Sequence, residues 1–158
     1  MIFKASKRSG GRQIGSHLLK TEENEHVEIH EVSGFISDTV MGAMNEAYAA
    51  ARGTKCKQYL FSMSLSPPAH ESVRVEVFEK VISDIEERLG LTGQPRVIVF
   101  HEKEGRRHCH AVWSRIHIMI VQRQSRLRSH AHRLRAMPRH RLGVFHSDQR
   151  DWHCPKKS

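Results

Sequence analysis

Five segments of the chain have the residue pattern of β-strands, and three have that of helices. Strand-like segments alternate apolar and polar residues or are rich in β-branched and aromatic residues, whereas the helical ones repeat apolar residues every three or four positions. The predicted strands are MIFKAS, HVEIHEV, QYLFSMSLS, RVIVF and HCHAVWSRI. The predicted helices are RQIGSHLLK, DTVMGAMNEAYAAAR and residues 72–89. The predicted order is therefore β-α-β-α-β-α-β-β.

Capping residues support two of these helices. Ser37 is expected to be the N-cap of the second helix, and Gly53 follows its last residue. Gly90 follows the third helix, in which Val75, Phe78 and Ile82 begin an amphipathic repeat.

Strands of mixed polarity in this order indicate an α+β fold with a central antiparallel or mixed sheet of about five strands. We expect the helices to pack on one side of the sheet. The other face would then be free for a functional site.

Length and charge divide the chain into a folded part and a tail. With 158 residues the chain is long enough for one domain, which we assign to residues 1–116. Residues 117–158 contain ten basic and two acidic side chains, a net +8 of the chain's +9, and show no sustained apolar period. We expect this His- and Arg-rich tail to be irregular. Since the sequence has neither a signal peptide nor an apolar span, we expect a cytoplasmic protein without a membrane partner.

Three histidines surround the loop in FHEKEGRRHCHAVW. His108 and His110 point to the same face of their strand because strand side chains alternate. His101 ends the partner strand of the predicted hairpin and can face that pair. Three neutral imidazoles that converge in this way are a suitable ligand set for a divalent metal ion, with positions left open for a substrate.

The spacing H-x6-H-x-H before an apolar strand resembles the histidine triad of the relaxases, the DNA strand transferases that nick an origin of transfer. YLFSMSLSPP resembles the strand of the family's second motif, with its serine at Ser64, and GSHLLKTEENEHVEI lies where the nucleophile segment is expected. The resemblance covers about residues 1–116. Relative to the family the chain looks truncated after that point.

The resemblance implies the fold and the chemistry of a relaxase. His101, His108 and His110 would hold Mg²⁺ or Mn²⁺ against the scissile phosphate of single-stranded DNA. Glu102 and Glu104 are candidate partners that orient the imidazoles, although loop carboxylates are often only solvated. The protein would act in the bacterial cytoplasm during conjugative mobilisation, with accessory relaxosome proteins as further partners.

The nucleophile is where the sequence departs from the family. Relaxases of this type usually attack with an N-terminal tyrosine, but Tyr48 and Tyr59 lie elsewhere, and the motif position is occupied by His17. Imidazole can also form a covalent intermediate, so His17 is the candidate nucleophile, and local packing in a helix is the alternative. Arg12 and Lys20 flank His17 and are candidate phosphate contacts.

Glu28 is a weaker candidate, as an acid or base. It lies between His26 and His30 on one face of the second strand, and it would serve only if that strand adjoined the site.

Two other interpretations remain open. The first is a non-catalytic nucleic-acid-binding protein that binds through its basic tail. The second is a structural zinc site in the tail, although its residues match no zinc-finger spacing. That site would use His140, His146, His153 and Cys154.

Overall fold

The structure, a computed structural model, describes residues 1–21, 24–68 and 71–116. These residues form the predicted series of elements in the predicted order. The strands are β1 (Ile2–Arg8), β2 (His26–Ser33), β3 (Leu60–Ser66), β4 (Arg96–Lys103) and β5 (Arg106–Ser114). The helices are α1 (Gly11–Leu18), α2 (Val40–Arg52) and α3 (Val75–Leu89).

The five strands form a single sheet in the order β1-β3-β5-β4-β2, and every neighbouring pair is antiparallel. The prediction of an α+β fold with a central antiparallel sheet is confirmed. β5 is the central strand, β3 and β4 lie on either side of it, and β1 and β2 are the edge strands. The hairpin that contains the three histidines is therefore bordered by β3 on one side and β2 on the other.

Helices cover both faces of the sheet. Leu60, Val97 and Val112 point to one face and pack with residues of α1 and α2, among them Leu18 and Met44. The alternate residues of the same strands form a second cluster with α3 on the opposite face. The expectation that all the helices lie on one side is therefore wrong. We refer to the two surfaces as the α1/α2 face and the α3 face.

The helices are capped as the sequence predicts, except that the N-cap of α2 lies two residues later than expected. The N-cap of α2 is Thr39, whose side chain accepts a hydrogen bond from the Gly42 N–H. Ser37, the predicted cap, lies two residues earlier, and its hydroxyl accepts from the Thr39 N–H. At the end of α3, Gly90 has φ 65°, the left-handed conformation that glycine adopts without a steric penalty.

A two-residue turn joins β4 to β5. Glu104 and Gly105 both have positive φ, 54° and 66°, as a tight hairpin turn of the I′ kind requires. The carboxylate of Glu25, just before β2, accepts hydrogen bonds from both backbone N–H groups at 3.2 and 3.3 Å. This turn fixes the register in which His101 pairs with His108.

A polar network is buried on the α3 face. Glu86 of α3 is 6% exposed and accepts hydrogen bonds from Trp113 Nε1 at 2.6 Å and from Arg96 at 2.7 Å. Arg96 also binds the Glu31 carboxylate, at 2.9 Å. Through Trp113, Arg96 and Glu31 these hydrogen bonds link α3 to β5, β4 and β2.

None of the helices in the described ranges has the length and apolar character needed to span a bilayer. The predicted basic tail, residues 117–158, lies outside the described residues, and so does the zinc site that would depend on it.

Candidate active site

The three histidines converge on the α1/α2 face. His101 of β4 pairs directly with His108 of β5, and His110 lies two residues further along the same strand. Their ring centroids are separated by 4.6 Å (His101 to His110), 5.3 Å (His108 to His110) and 5.4 Å (His101 to His108). One ligand nitrogen from each ring lies within 4.8 Å of the other two. The spacing permits all three to bind one ion.

Burial keeps these rings neutral. It lowers the pKa of His110 to about 3, and the neighbouring imidazoles reinforce the effect. Burial is also the main reason why the pKa values of His101 and His108 lie below the usual value. A neutral imidazole keeps the lone pair that a metal ion requires. The donor set, three neutral nitrogens without a carboxylate, therefore fits a divalent cation with open positions.

Backbone carbonyls orient two of the rings. His101, only 2% exposed, donates from Nε2 to the Leu18 carbonyl oxygen at 2.8 Å. The proton on Nε2 leaves the Nδ1 lone pair available, so this hydrogen bond selects the ligand atom. A backbone hydrogen bond at Arg106 acts on His108 and raises its pKa against the effect of burial. Main-chain groups therefore hydrogen-bond both of these rings.

Helix α1 brings His17 beside the triad. The His17 ring lies 5.6 Å from that of His110 and 6.4 Å from that of His101. Its side chain is exposed, so a substrate can reach it. The helix is held at its first residue, where the Gly11 N–H donates to the buried Tyr59 hydroxyl at 2.9 Å. Gly11 allows this close approach because a Cβ atom there would lie 2.8 Å from that hydroxyl oxygen.

Two adjoining hollows open beside these rings. The first, of about 270 Å³, includes all three triad histidines, and the second, of about 480 Å³, extends between α1 and the β1 edge. They share Lys4, His17, Ser64 and His110. Ser64 pairs with His110 across β3 and β5 and therefore projects to the same face. We call the two hollows together the β1 groove.

The comparison with protein families decides the class of this protein. The model of a relaxase family, described as MobA/VirD2-like, nuclease domain, matches residues 12–139. The chain belongs to this relaxase family. No protein in a search of curated sequences matches it. The family match begins within α1, includes both arms of the β4–β5 hairpin, and continues beyond Ile116 into the part of the chain that the structure does not describe.

The structure does not bring Glu28 to the site of this relaxase. Glu28 pairs with Phe100, which packs against α3, whereas its neighbour Val27 pairs with His101. Residues directly opposite in an antiparallel pair share a face, so the sheet separates Glu28 from the triad. We therefore leave Glu28 out of the proposed catalytic residues.

The two loop carboxylates also lie away from the imidazoles. Glu102 follows His101 in β4 and pairs with Arg107. Because successive strand side chains alternate between faces, the Glu102 side chain points to the α3 face, opposite to His101. Glu104 lies in the hairpin turn, where its side chain contacts Arg106 at 3.3 Å. Neither orients a triad ring, and the Leu18 carbonyl does so for His101 instead.

The basic residues at the groove differ from those suggested by the sequence. Neither Arg12 nor Lys20 lines the β1 groove, although both flank His17 in the chain. The cations that line it are Lys4 and Arg8 of β1 and Lys103 of β4. The sequence placed Lys4 on a strand, but its proximity to His110 depends on a strand order that local patterns do not contain.

Proposed function

We propose that this relaxase nicks single-stranded DNA at an origin of transfer in a metal-dependent reaction and holds the 5′-phosphate covalently on His17. The observation that carries the proposal is the position of an exposed imidazole, His17, directly beside three imidazoles, one buried and two half-buried, that can share one ion. The proposed biological role is conjugative mobilisation in the bacterial cytoplasm, with accessory relaxosome proteins as partners.

His101, His108 and His110 would hold the cation, Mg²⁺ or Mn²⁺. When bound, such a cation supplies positive charge to a non-bridging phosphate oxygen. The Leu18 carbonyl fixes the orientation of His101, and burial keeps all three rings in the neutral form that binds a metal. The protein thus prepares these ligands before any substrate arrives, which is the preorganisation that electrostatic catalysis requires.

His17 would supply the nucleophile. A lone pair of a ring nitrogen attacks phosphorus, an N–P bond forms, and the bond from phosphorus to the 3′ oxygen breaks. The 3′ oxygen leaves with the bonding electrons and takes up a proton, and the phosphorylated ring releases its own N–H proton to water, so charge and atoms balance. Attack by a 3′-hydroxyl on the same phosphorus reverses the step and restores a DNA linkage.

The proposal is tested with the full chain, Mn²⁺ and a set of single-stranded oligonucleotides that tile the DNA around its gene. Denaturing electrophoresis should reveal a covalent protein–DNA product, and mass mapping should place the phosphate on His17. The product should disappear in His17→Ala and His108→Ala and on chelation of the metal. It should persist in His26→Ala, a matched control because His26 is exposed and pairs with Glu102, away from the triad.

Three results would contradict the proposal. An adduct on Tyr48 or Tyr59 would reject His17 as the nucleophile, and nicking that survives His108→Ala would reject the role of the triad. Salt-sensitive binding without any covalent product, abolished by deletion of residues 117–158, would instead indicate a non-catalytic nucleic-acid-binding protein.

A further inference from the structure

The β1 groove continues past the candidate active site along the edge strand of the sheet. Lys4, His17, Ser64 and His110 border both of its hollows, so the site lies where the two meet. From this junction the larger hollow extends to Arg8. A chain-like ligand held at His17 can therefore continue along β1.

The register of the sheet directs Lys4 toward the junction. Lys4 pairs with Ser64, and Ser64 pairs with His110, so the three side chains form one row on the same face. The backbone of Lys4 lies two strand spacings from that of His110, about 10 Å, a distance that a lysine side chain can largely span. Arg8 follows four residues later on the same strand and face, about 13 Å further along.

The groove is positively charged. No acidic side chain of the described ranges lines either hollow, whereas Lys4, Arg8 and Lys103 do. Within those ranges Lys4 has no carboxylate partner, and the Arg8 guanidinium contacts only the Ser6 hydroxyl, at 2.9 Å. Both cations are exposed and remain available for an anionic ligand.

We propose that one DNA strand lies along β1, with Lys4 binding the phosphate beside His17 and His110 and Arg8 binding a phosphate further along the strand. The inference rests on the proposed function in its choice of ligand, since a row of spaced cations without acidic neighbours fits a polyphosphate backbone. It adds to that function two phosphate-binding residues and the direction in which the strand leaves the site.

The experiment measures the salt dependence of binding to a fluorescein-labelled, mixed-sequence single-stranded oligonucleotide. It uses the full chain in EDTA, so that neither cleavage nor a bound metal contributes. Affinity falls as salt rises, and each phosphate contact makes the slope of log affinity against log salt concentration more negative by about 0.7 for single strands, so slopes are compared by their magnitude. Lys4→Gln and Arg8→Gln should each lower the slope by about that amount and the double variant by about twice as much.

Two matched variants provide controls. Lys80→Gln removes the same charge from an exposed position on α3 and should leave the slope unchanged. Lys4→Arg keeps the positive charge and should retain the salt slope. A purely structural role of the Lys4 side chain does not predict that result. Far-ultraviolet circular dichroism confirms that each variant is folded before binding is measured.

The outcomes separate this inference from the proposed nuclease activity. Slopes for Lys4→Gln and Arg8→Gln equal to that for Lys80→Gln would overturn the β1 path, even if an adduct forms on His17. A lower slope for Arg8→Gln alone would remove Lys4 from the path. Lower slopes for both, in a chain that forms no adduct, would support the path and reject the nuclease proposal.

Discussion

At the scale of single residues, the candidate site combines three largely desolvated imidazoles with one exposed imidazole. Burial lowers the pKa of His110 to about 3, so this ring is neutral throughout the physiological range. His17, 5.6 Å away, is exposed and accessible to a substrate. In the proposed mechanism the same side-chain type would serve as a metal ligand at His110 and as the nucleophile at His17, because the two rings differ in their exposure.

We predict that His110→Ala lowers the affinity for Mn²⁺ by at least about tenfold, because one of three ligand nitrogens is lost. Isothermal titration calorimetry of the full chain measures the dissociation constant without any cleavage assay. His26→Ala is the control, since it removes an exposed histidine of β2 that projects away from the triad. An unchanged dissociation constant for His110→Ala would show that the triad is not the metal site.

At the scale of elements, α1 must be seated correctly on α2 and β3 to align His17 and the Leu18 carbonyl with the hairpin. Within α1, the glycine packed against rigid groups is Gly11, since a Cβ there would lie 2.8 Å from the Tyr59 hydroxyl and 3.1 Å from the Met44 carbonyl oxygen. Tyr59 is 4% exposed and has little space to move.

Gly11→Ala is therefore expected to lower the free energy of unfolding by about 1–3 kcal/mol through overpacking. Denaturant unfolding measures the change. Gly53→Ala is the control, because that glycine has a helical φ of −78° and its nearest neighbour, the Ala50 carbonyl oxygen, lies 3.5 Å from the Cβ position. Tyr59→Phe removes the clashing hydroxyl, so it should cost less in the Gly11→Ala background than alone. Strictly additive effects would contradict the proposed clash.

The pairing of elements also shows what the sequence could predict. His101, His108 and His110 lie within one hairpin, so a period of two and a short loop were enough to predict their convergence. Lys4 could not be assigned to the site in this way, because β1 and its neighbour β3 are separated by at least 52 residues in the chain, from Arg8 to Leu60. The partner of His101 was not predictable either, since a backbone carbonyl has no residue-type signature.

At the scale of the whole molecule, the two faces of the sheet present different groups of side chains. The α1/α2 face contains the candidate site, and the α3 face contains a buried polar network centred on Glu86. The second helical layer could have been predicted from Val97 to Phe100, because an uninterrupted apolar run is typical of a strand covered on both faces. The amphipathic pattern of α3 predicted its packing on the sheet but not which face it covers.

We predict that Glu86→Ala destabilises the fold by about 2 kcal/mol, because Trp113 Nε1 loses its acceptor and Arg96 loses one of its two carboxylates. Thermal and denaturant unfolding measure the loss. Glu87→Ala removes an adjacent exposed glutamate of the same helix and should change stability by less than about 0.5 kcal/mol. If Glu86→Ala and Glu87→Ala lowered the free energy of unfolding equally, the buried network would contribute no more to stability than one exposed glutamate of the same helix.

The β4–β5 hairpin has a consequence for how such a protein diverges. Its three histidines belong to one contiguous ribbon, whereas the groove wall is assembled from distant segments, β1, α1 and β3. Substitutions confined to β1 and β3 would change the groove wall without altering any of the three hairpin histidines, whereas α1 also contains His17 and the carbonyl that orients His101. The candidate metal ligands and the β1 side of the groove therefore lie in separate stretches of the sequence, so one can change while the other is kept.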